Sequence, residues 1–173
     1  MKNLIVCIML SFFGLAHAEN VDSLKSVLKN ATHDTTKCNI LNRLSETAPD
    51  GEWEKYNEQL NTFCENKLKV LPKTHPDYRF YQKYYAASLN NFGYIYNNQH
   101  EIPKALEYFL KSLKIQEEIG DKKGIAYSLN NIGAIYKTQD DFPKALEYYH
   151  RSLEMQEEAG DKSGMAYALN NIG

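Results

Sequence analysis

Apolar residues recur at helical spacing through the second half of the chain. Ala126, Leu129, Gly133 and Tyr136 stand at i, i+3, i+7 and i+10, which places them on one face of an α-helix. The next segment repeats this pattern with Phe142, Ala145, Leu146, Tyr149 and Leu153. The spacing therefore predicts two consecutive amphipathic helices.

Turn-forming residues mark the ends of these helices. Gly160 stands at the position of a helix C′ residue, and Asp161 follows as an N-cap for a further helix. Gly120 and Asp121 occupy the same positions forty residues earlier. Each second helix also has a proline in its first turn, where a missing N–H costs no hydrogen bond: Pro103 and Pro143. These local signals all indicate helical hairpins.

The helical pattern repeats every forty residues. When Asn90–Leu129 is aligned without a gap with Asn130–Leu169, 24 of the 40 positions are identical. The shared sequence reads N-N-x-G-x-I-Y, then P-K-A-L-E-Y, then S-L-x-x-Q-E-E-x-G-D-K-x-G-x-A-Y-x-L. Identity at this level over a fixed period indicates a tandem repeat.

Four positions in each unit resemble the tetratricopeptide repeat. The pattern is Gly, Tyr three residues on, Ala nine residues later and then an aromatic residue, and the matching positions are Gly93, Tyr96, Ala105, Phe109, Gly133, Tyr136, Ala145 and Tyr149. The resemblance implies an all-α fold, a right-handed α-solenoid of helix-turn-helix repeats. Its repeats would cover 86–119 and 126–159, with a truncated repeat at 166–173. Where this family often has glycine in the turn, the chain has His100 and Asp140, which tolerate positive φ.

The glycines within the helices predict a close helix crossing. Glycine in a helix interior costs about 1 kcal/mol relative to alanine, so Gly93 and Gly133 need a compensating contact. We expect the partner helix to approach closely there through Ala105 and Ala145. Residues 19–85 are interpreted as N-terminal capping helices and a degenerate repeat of the same architecture.

The first 18 residues have the layout of an export signal. Lys2 supplies a positive start, Leu4–Leu15 is almost wholly apolar, and Ala16-His17-Ala18 has the small-x-small form of a cleavage site. The apolar run is too short to span a bilayer comfortably. The alternatives are a retained membrane anchor and a buried N-terminal helix. We interpret residues 1–18 as a signal peptide cleaved after Ala18, so the protein is expected in the periplasm or outside the cell.

Composition and motifs argue against several function classes. The net charge is −2 and no Lys/Arg cluster is present, so nucleic acid is not an expected partner. The sequence contains no glycine-rich phosphate loop and no GxSxG or HExxH motif. Its histidines share no ligand spacing. We therefore expect no catalytic residues, no metal site and no cofactor.

Two cysteines would remain after export. Cys38 and Cys64 could pair in an oxidising compartment, which an even count permits. The alternative is that each is a small buried hydrophobic residue on a helix. The sequence leaves both open.

The asparagine pairs are the candidate binding residues. In tetratricopeptide repeats the position three before the small glycine faces the concave groove, and here it is Asn90, Asn130 and Asn170. A row of amides offers donors and acceptors to an extended peptide backbone. The same face would add Tyr94, Asn97, Tyr127, Lys137 and Tyr167. The alternative for the Asn90 row is a structural hydrogen bond between helices, the role we assign to Asn91, Asn131 and Asn171.

These features predict a non-catalytic scaffold that binds a protein or peptide in the groove. One alternative is the sensory front of a membrane-spanning signalling protein such as a sensor histidine kinase, whose transmembrane helix would lie past residue 173. Another is a structural solenoid that self-associates through an open C-terminal repeat face.

Overall fold

The computed structural model describes residues 21–173, so the predicted export signal lies outside the described residues. These residues form eight α-helices and no strand. The helices are α1 (21–30), α2 (Asp34–Thr47), α3 (Trp53–Val70), α4 (Tyr78–Asn98), α5 (Ile102–Ile119), α6 (Lys122–Thr138), α7 (Phe142–Ala159) and α8 (Lys162–Ile172). The all-α fold predicted from the sequence is confirmed.

The chain divides into two compact units, the first ending at Leu60 and the second covering Asn61–Gly173. In the first unit, the apolar faces of α1 and α2 meet in a small core of Val21, Leu24, Ile40 and Leu44. Cys38 in this unit and Cys64 in the second are each a buried thiol, so the structure favours the packing role over a disulfide.

The second unit is built from helical hairpins. Helices α4, α6 and α8, here called the first helices, alternate with α5 and α7, here called the second helices. Its core lies between α5 and α6, where the apolar faces of the two helices bury Ala105, Phe109, Leu113, Ile125, Leu129, Ile132 and Ile135. The hairpins that the sequence pattern predicts are therefore present.

The predicted turn residues end and begin the helices. Gly120 and Gly160 adopt left-handed backbone angles, with φ of 62° and 65°, directly after α5 and α7. Asp121 and Asp161 then cap the next first helix, because the carboxylate of Asp121 accepts the Gly124 N–H at 3.3 Å and that of Asp161 accepts the Gly164 N–H at 3.1 Å.

The turn inside each hairpin uses a left-handed residue other than glycine. His100 and Asp140 have φ of 60° and 59°. Each of these two residues lies between a first and a second helix. The next residue donates its N–H back to a carbonyl of the first helix: Glu101 to Tyr96 at 2.9 Å, and Asp141 to Tyr136 at 3.0 Å. The tolerance of His and Asp for positive φ therefore preserves the turn.

The first helices begin before the repeat boundaries read from the sequence. Repeat starts were placed at 86, 126 and 166, whereas the helices start at Tyr78, Lys122 and Lys162. For α6 and α8 the reason is the aspartate cap, which fixes the helix start four residues before the boundary. The tyrosine-rich Tyr78–Tyr85, interpreted as part of the capping region, forms the first two turns of α4.

An aromatic ring, and not an alanine methyl group, fills the space beside Gly93 and beside Gly133. A Cβ atom on Gly93 would lie 2.6 Å from two ring carbons of Phe109. On Gly133 it would lie 2.8 Å from the Tyr149 ring and 3.2 Å from the Ala145 carbonyl oxygen. The close crossing was correctly expected, but ring contact is its main consequence, because glycine lets an aromatic side chain lie flat against the first helix.

Two tyrosines stack on each other in each hairpin, one from the first helix and one from the second. Tyr96 and Tyr108 have ring centroids 5.2 Å apart at an interplanar angle of 16°, and Tyr136 and Tyr148 repeat this at 5.4 Å and 12°. A lysine ammonium lies 5.1 Å from the first ring of each pair, from Lys104 and Lys144 respectively. Burial raises the pKa of the Tyr108 and Tyr148 phenols.

Candidate binding face and asparagine ladder

Three tyrosines on the first helices expose about half of their surface. Tyr94 on α4 is 51% exposed, Tyr127 on α6 is 54% exposed and Tyr167 on α8 is 56% exposed. Tyr127 and Tyr167 stand at the same position of successive repeats. Exposed aromatic rings of this size are unusual on a surface that meets only water, and they are enriched where proteins bind partners.

Polar residues accompany these rings. Asn97 is partly buried on α4, Lys137 is exposed at the equivalent position of α6, and Asn170 is exposed on α8. We call Tyr94, Asn97, Tyr127, Lys137, Tyr167 and Asn170 together the first-helix face. The face offers flat apolar rings, two amides and one ammonium group.

Asn90 and Asn130 have a different role from the other candidate residues. Asn130 is only 3% exposed, and its Oδ1 accepts a hydrogen bond from Asn171 Nδ2 at 2.8 Å. Asn90 is partly buried, and its Oδ1 accepts the same bond from Asn131 Nδ2 at 2.9 Å. The structure therefore places both amides in hydrogen bonds between consecutive first helices, which is the structural role given above as the alternative to groove binding.

These bonds form what we call the asparagine ladder, the pairs Asn131–Asn90 and Asn171–Asn130. The sequence analysis gave the two asparagines of each pair separate roles, one in binding and one in packing. In the structure the second asparagine of one repeat donates to the first asparagine of the preceding repeat. Both residues therefore serve the joint between repeats.

Buried hydroxyl and amide groups extend the ladder at the joint between α4–α5 and α6. Asn90 Nδ2 donates to Ser128 Oγ at 2.8 Å, and Ser128 Oγ donates to Gln116 Oε1 at 2.7 Å. Ser112 Oγ, 3.3 Å from Ser128 Oγ, donates to the Ala86 carbonyl at 2.7 Å. The serine and glutamine side chains are buried, so this network satisfies polar groups that water does not reach.

The next joint lacks one member of this network. Ala168 on α8 stands where Ser128 stands on α6, and no hydroxyl is available there. Gln156, equivalent to Gln116, is 2% exposed, and its Oε1 has no hydrogen-bond partner among the described residues. Ser152 still donates to the Ala126 carbonyl at 2.8 Å. The second joint thus keeps the ladder bond and loses the bond to glutamine.

Comparison with known families settles the class of these hairpins. The family model described as tetratricopeptide repeat matches residues 84–158 and 124–173, which together cover half of the chain. The chain belongs to the tetratricopeptide repeat family. A search of curated proteins found no significant match.

A solved structure resembles this tetratricopeptide repeat protein in fold. The crystal structure of BtubC (BKLC) from P. vanneervenii superposes with a TM-score of 0.59 at 18% sequence identity, over 91% of this chain and 62% of that one. At this identity the likeness concerns the helical repeat fold alone. The chain spans about three fifths of the length of that structure.

The sequence analysis of this tetratricopeptide repeat protein missed the buried serines and glutamines. Ser112 and Ser152 are identical in the two repeats, as are Gln116 and Gln156, so their identity was the available signal. Elsewhere, the described residues contain no cluster of His, Cys, Asp and Glu able to hold a metal ion. None of the helices among residues 21–173 is long and apolar enough to span a membrane.

Proposed function

We propose that this tetratricopeptide repeat protein is a non-catalytic scaffold that binds an extended segment of a partner protein on the first-helix face. The family typically provides such scaffolds. The observation that supports this site is the half exposure of Tyr94, Tyr127 and Tyr167 on the three first helices. We also propose that residues 1–18 direct export of the protein and are then removed. Mass spectrometry of the protein from its native cell is expected to give the mass of a chain that begins at Glu19.

The physical basis is the chemistry of the exposed tyrosine ring. A tyrosine offers a rigid apolar surface and a hydroxyl that can donate or accept, and ordering it on binding costs little side-chain entropy. Tyr127 forms no hydrogen bond among the described residues, so its hydroxyl is available to a partner. Asn90 and Asn130 form hydrogen bonds between repeats. The exposed tyrosine rings therefore provide most of the surface of this face that a partner can contact.

The proposal predicts that binding depends on Tyr127 and Tyr167. Peptides selected from a displayed random library against the full chain are expected to bind the double variant Tyr127→Ala/Tyr167→Ala at least about tenfold more weakly, since buried aromatic anchors dominate interfaces. Fluorescence anisotropy of the labelled peptides measures the dissociation constant. The variant should unfold at nearly the same temperature as the parent, because both rings are half exposed.

A matched control separates the face from general surface contact. Leu110→Ala removes a half-exposed apolar side chain from the second helix α5 and should leave the dissociation constant unchanged. Equal weakening by Leu110→Ala, or undiminished binding by the double tyrosine variant, would contradict the proposed face.

A second candidate, self-association, is favoured by one observation. Phe142 and Leu146 of α7 are 54% and 40% exposed, and Leu169 of α8 is 54% exposed, whereas Leu129, the equivalent of Leu169, is 1% exposed. We infer that a second copy of this chain covers this apolar surface. As the concentration rises, light scattering is expected to show the mass increase from that of a monomer to that of a dimer. The Leu169→Lys variant should remain a monomer. A monomer at every concentration would rule this candidate out.

A further inference from the structure

An open groove of about 310 Å³ lies between side chains of α4 and α5 in the second unit. A volume of this size is at the lower end of the range for small-molecule sites. The surface of the groove is mainly apolar, with charged and hydroxyl groups beside it. The residues that line it are Tyr85, Leu89, Lys111, Lys114, Ile115 and Glu118.

This groove is separate from the first-helix face. Tyr85 lines the groove and Tyr94 belongs to the first-helix face, and the two are nine residues apart on α4. Because successive residues of a helix are about 100° apart, nine residues place these side chains on opposite sides of α4. A molecule in the groove would therefore leave the first-helix face open.

Two of the lining residues depart from the repeat. Position 85 is tyrosine where the following repeat has the buried Ile125, and position 114 is lysine where that repeat has Glu154. The first difference adds a hydroxyl group and the second reverses a charge. The remaining four positions keep their chemistry, since Leu89, Lys111, Ile115 and Glu118 correspond to Leu129, Arg151, Met155 and Glu158. Packing of the repeat thus requires neither the tyrosine nor the lysine.

The charges of the groove differ in how they are paired. The Lys111 ammonium lies 2.6 Å from the Glu107 carboxylate, so its charge is already offset. Lys114 and Glu118 are exposed, stand one helical turn apart on α5, and form no ion pair among residues 21–173. Two charges at this spacing can pair with each other, but an exposed pair of this kind is weak. A ligand that carries both opposite charges can therefore take its place.

The Tyr85 hydroxyl adds a hydrogen-bond donor. Burial raises the pKa of the Tyr85 phenol, because desolvation disfavours the phenolate. The hydroxyl forms no hydrogen bond within the described part of the chain. A carboxylate that reached it would accept a charge-assisted hydrogen bond in a place partly shielded from water.

We propose that this groove binds a small zwitterion with an apolar side chain, which is the chemistry of a free apolar amino acid. The carboxylate of the ligand pairs with Lys114 and accepts from Tyr85. Its ammonium group pairs with Glu118, and its apolar side chain covers Leu89 and Ile115. A ligand with one charge alone leaves either Lys114 or Glu118 without a partner. The proposal does not depend on the segment bound by the first-helix face.

The test uses leucine as the probe and the isotope-labelled full chain as the protein. Shifts of the backbone amide signals in NMR spectra give the dissociation constant, and saturable shifts are expected in α4 and α5 around the groove. Two analogues isolate the charges: isocaproate lacks the ammonium group and isoamylamine lacks the carboxylate. Each analogue is expected to bind at least about tenfold more weakly than leucine.

Substitutions that restore the residues of the following repeat should remove the site. Lys114→Glu and Tyr85→Ile each introduce the residue found forty positions later, so both are compatible with a folded repeat. We expect Lys114→Glu to weaken leucine binding at least about tenfold and Tyr85→Ile about fivefold. Lys162→Glu is the matched control, because it changes the net charge equally at the exposed start of α8 and should leave the dissociation constant unchanged.

Several results would overturn the proposal. One is the absence of saturable shifts with leucine up to its solubility limit. Another is equal binding of leucine and either analogue, which would show that the groove does not recognise a zwitterion. Undiminished binding by Lys114→Glu, or equal weakening by Lys162→Glu, would show that Lys114 does not hold the ligand.

Discussion

Replacing Phe109 with alanine is expected to lower the free energy of unfolding by about 3–5 kcal/mol. The Phe109 ring is 2% exposed and lies against Gly93. It occupies the space that the side chain of a larger residue at position 93 would take. Truncation would leave a cavity between α4 and α5 that Gly93, having no side chain, cannot fill. Urea denaturation followed by circular dichroism measures the loss.

Phe142→Ala is the matched control for this prediction. The same side chain is removed from a second helix, but Phe142 is 54% exposed, so the expected loss is below about 1 kcal/mol. Similar losses in the two variants would show that the ring–glycine contact does not hold the hairpin together. An unchanged stability of Phe109→Ala would lead to the same conclusion.

Ser128→Ala is expected to lower the free energy of unfolding by about 2–4 kcal/mol. Removing one exposed hydroxyl would lower it far less. The change removes the acceptor for Asn90 Nδ2 and the donor for Gln116 Oε1 at once, and Gln116 is buried. Unsatisfied buried groups lose their hydration without a replacement. The same denaturation experiment measures this loss.

The reciprocal change tests the same network at the other joint. Ala168→Ser introduces a hydroxyl where Gln156 Oε1 has no partner among the described residues, and a gain of about 1 kcal/mol is expected. If Ser128→Ala is neutral while Ala168→Ser destabilises, the hydroxyl does not hold the joint. Ser128 and Ala168 are both fully buried, and serine and alanine differ by one oxygen atom, so the change in packed volume is small in both variants.

Local features of this fold were predictable from the sequence because each depends on a few neighbouring residues. The left-handed Gly120, the cap at Asp121 and the positive φ of His100 all follow from backbone preferences of single residue types. The hairpins follow from the apolar period. None of these requires knowledge of how one helix is placed against the next.

The role of the asparagines was not predictable in the same way. Neighbouring positions on a helix point about 100° apart, which favoured separate roles for Asn90 and Asn91. The partner of Asn90 depends on the offset between α4 and α6, which brings Asn131 to it, and a sequence period does not fix that offset. The exposed tyrosines were placed correctly on the first helices, but their binding role stays a prediction.

The ladder has a consequence for how such an array grows. Each forty-residue unit contains an acceptor for the unit after it, such as Asn130, and a donor for the unit before it, such as Asn131. Gene duplication of one unit therefore copies both halves of a joint in a single event. The array can therefore lengthen with the asparagine hydrogen bond present at each new boundary between repeats. A later substitution, such as alanine at position 168, changes the hydrogen bonds of one boundary and leaves the others as they were.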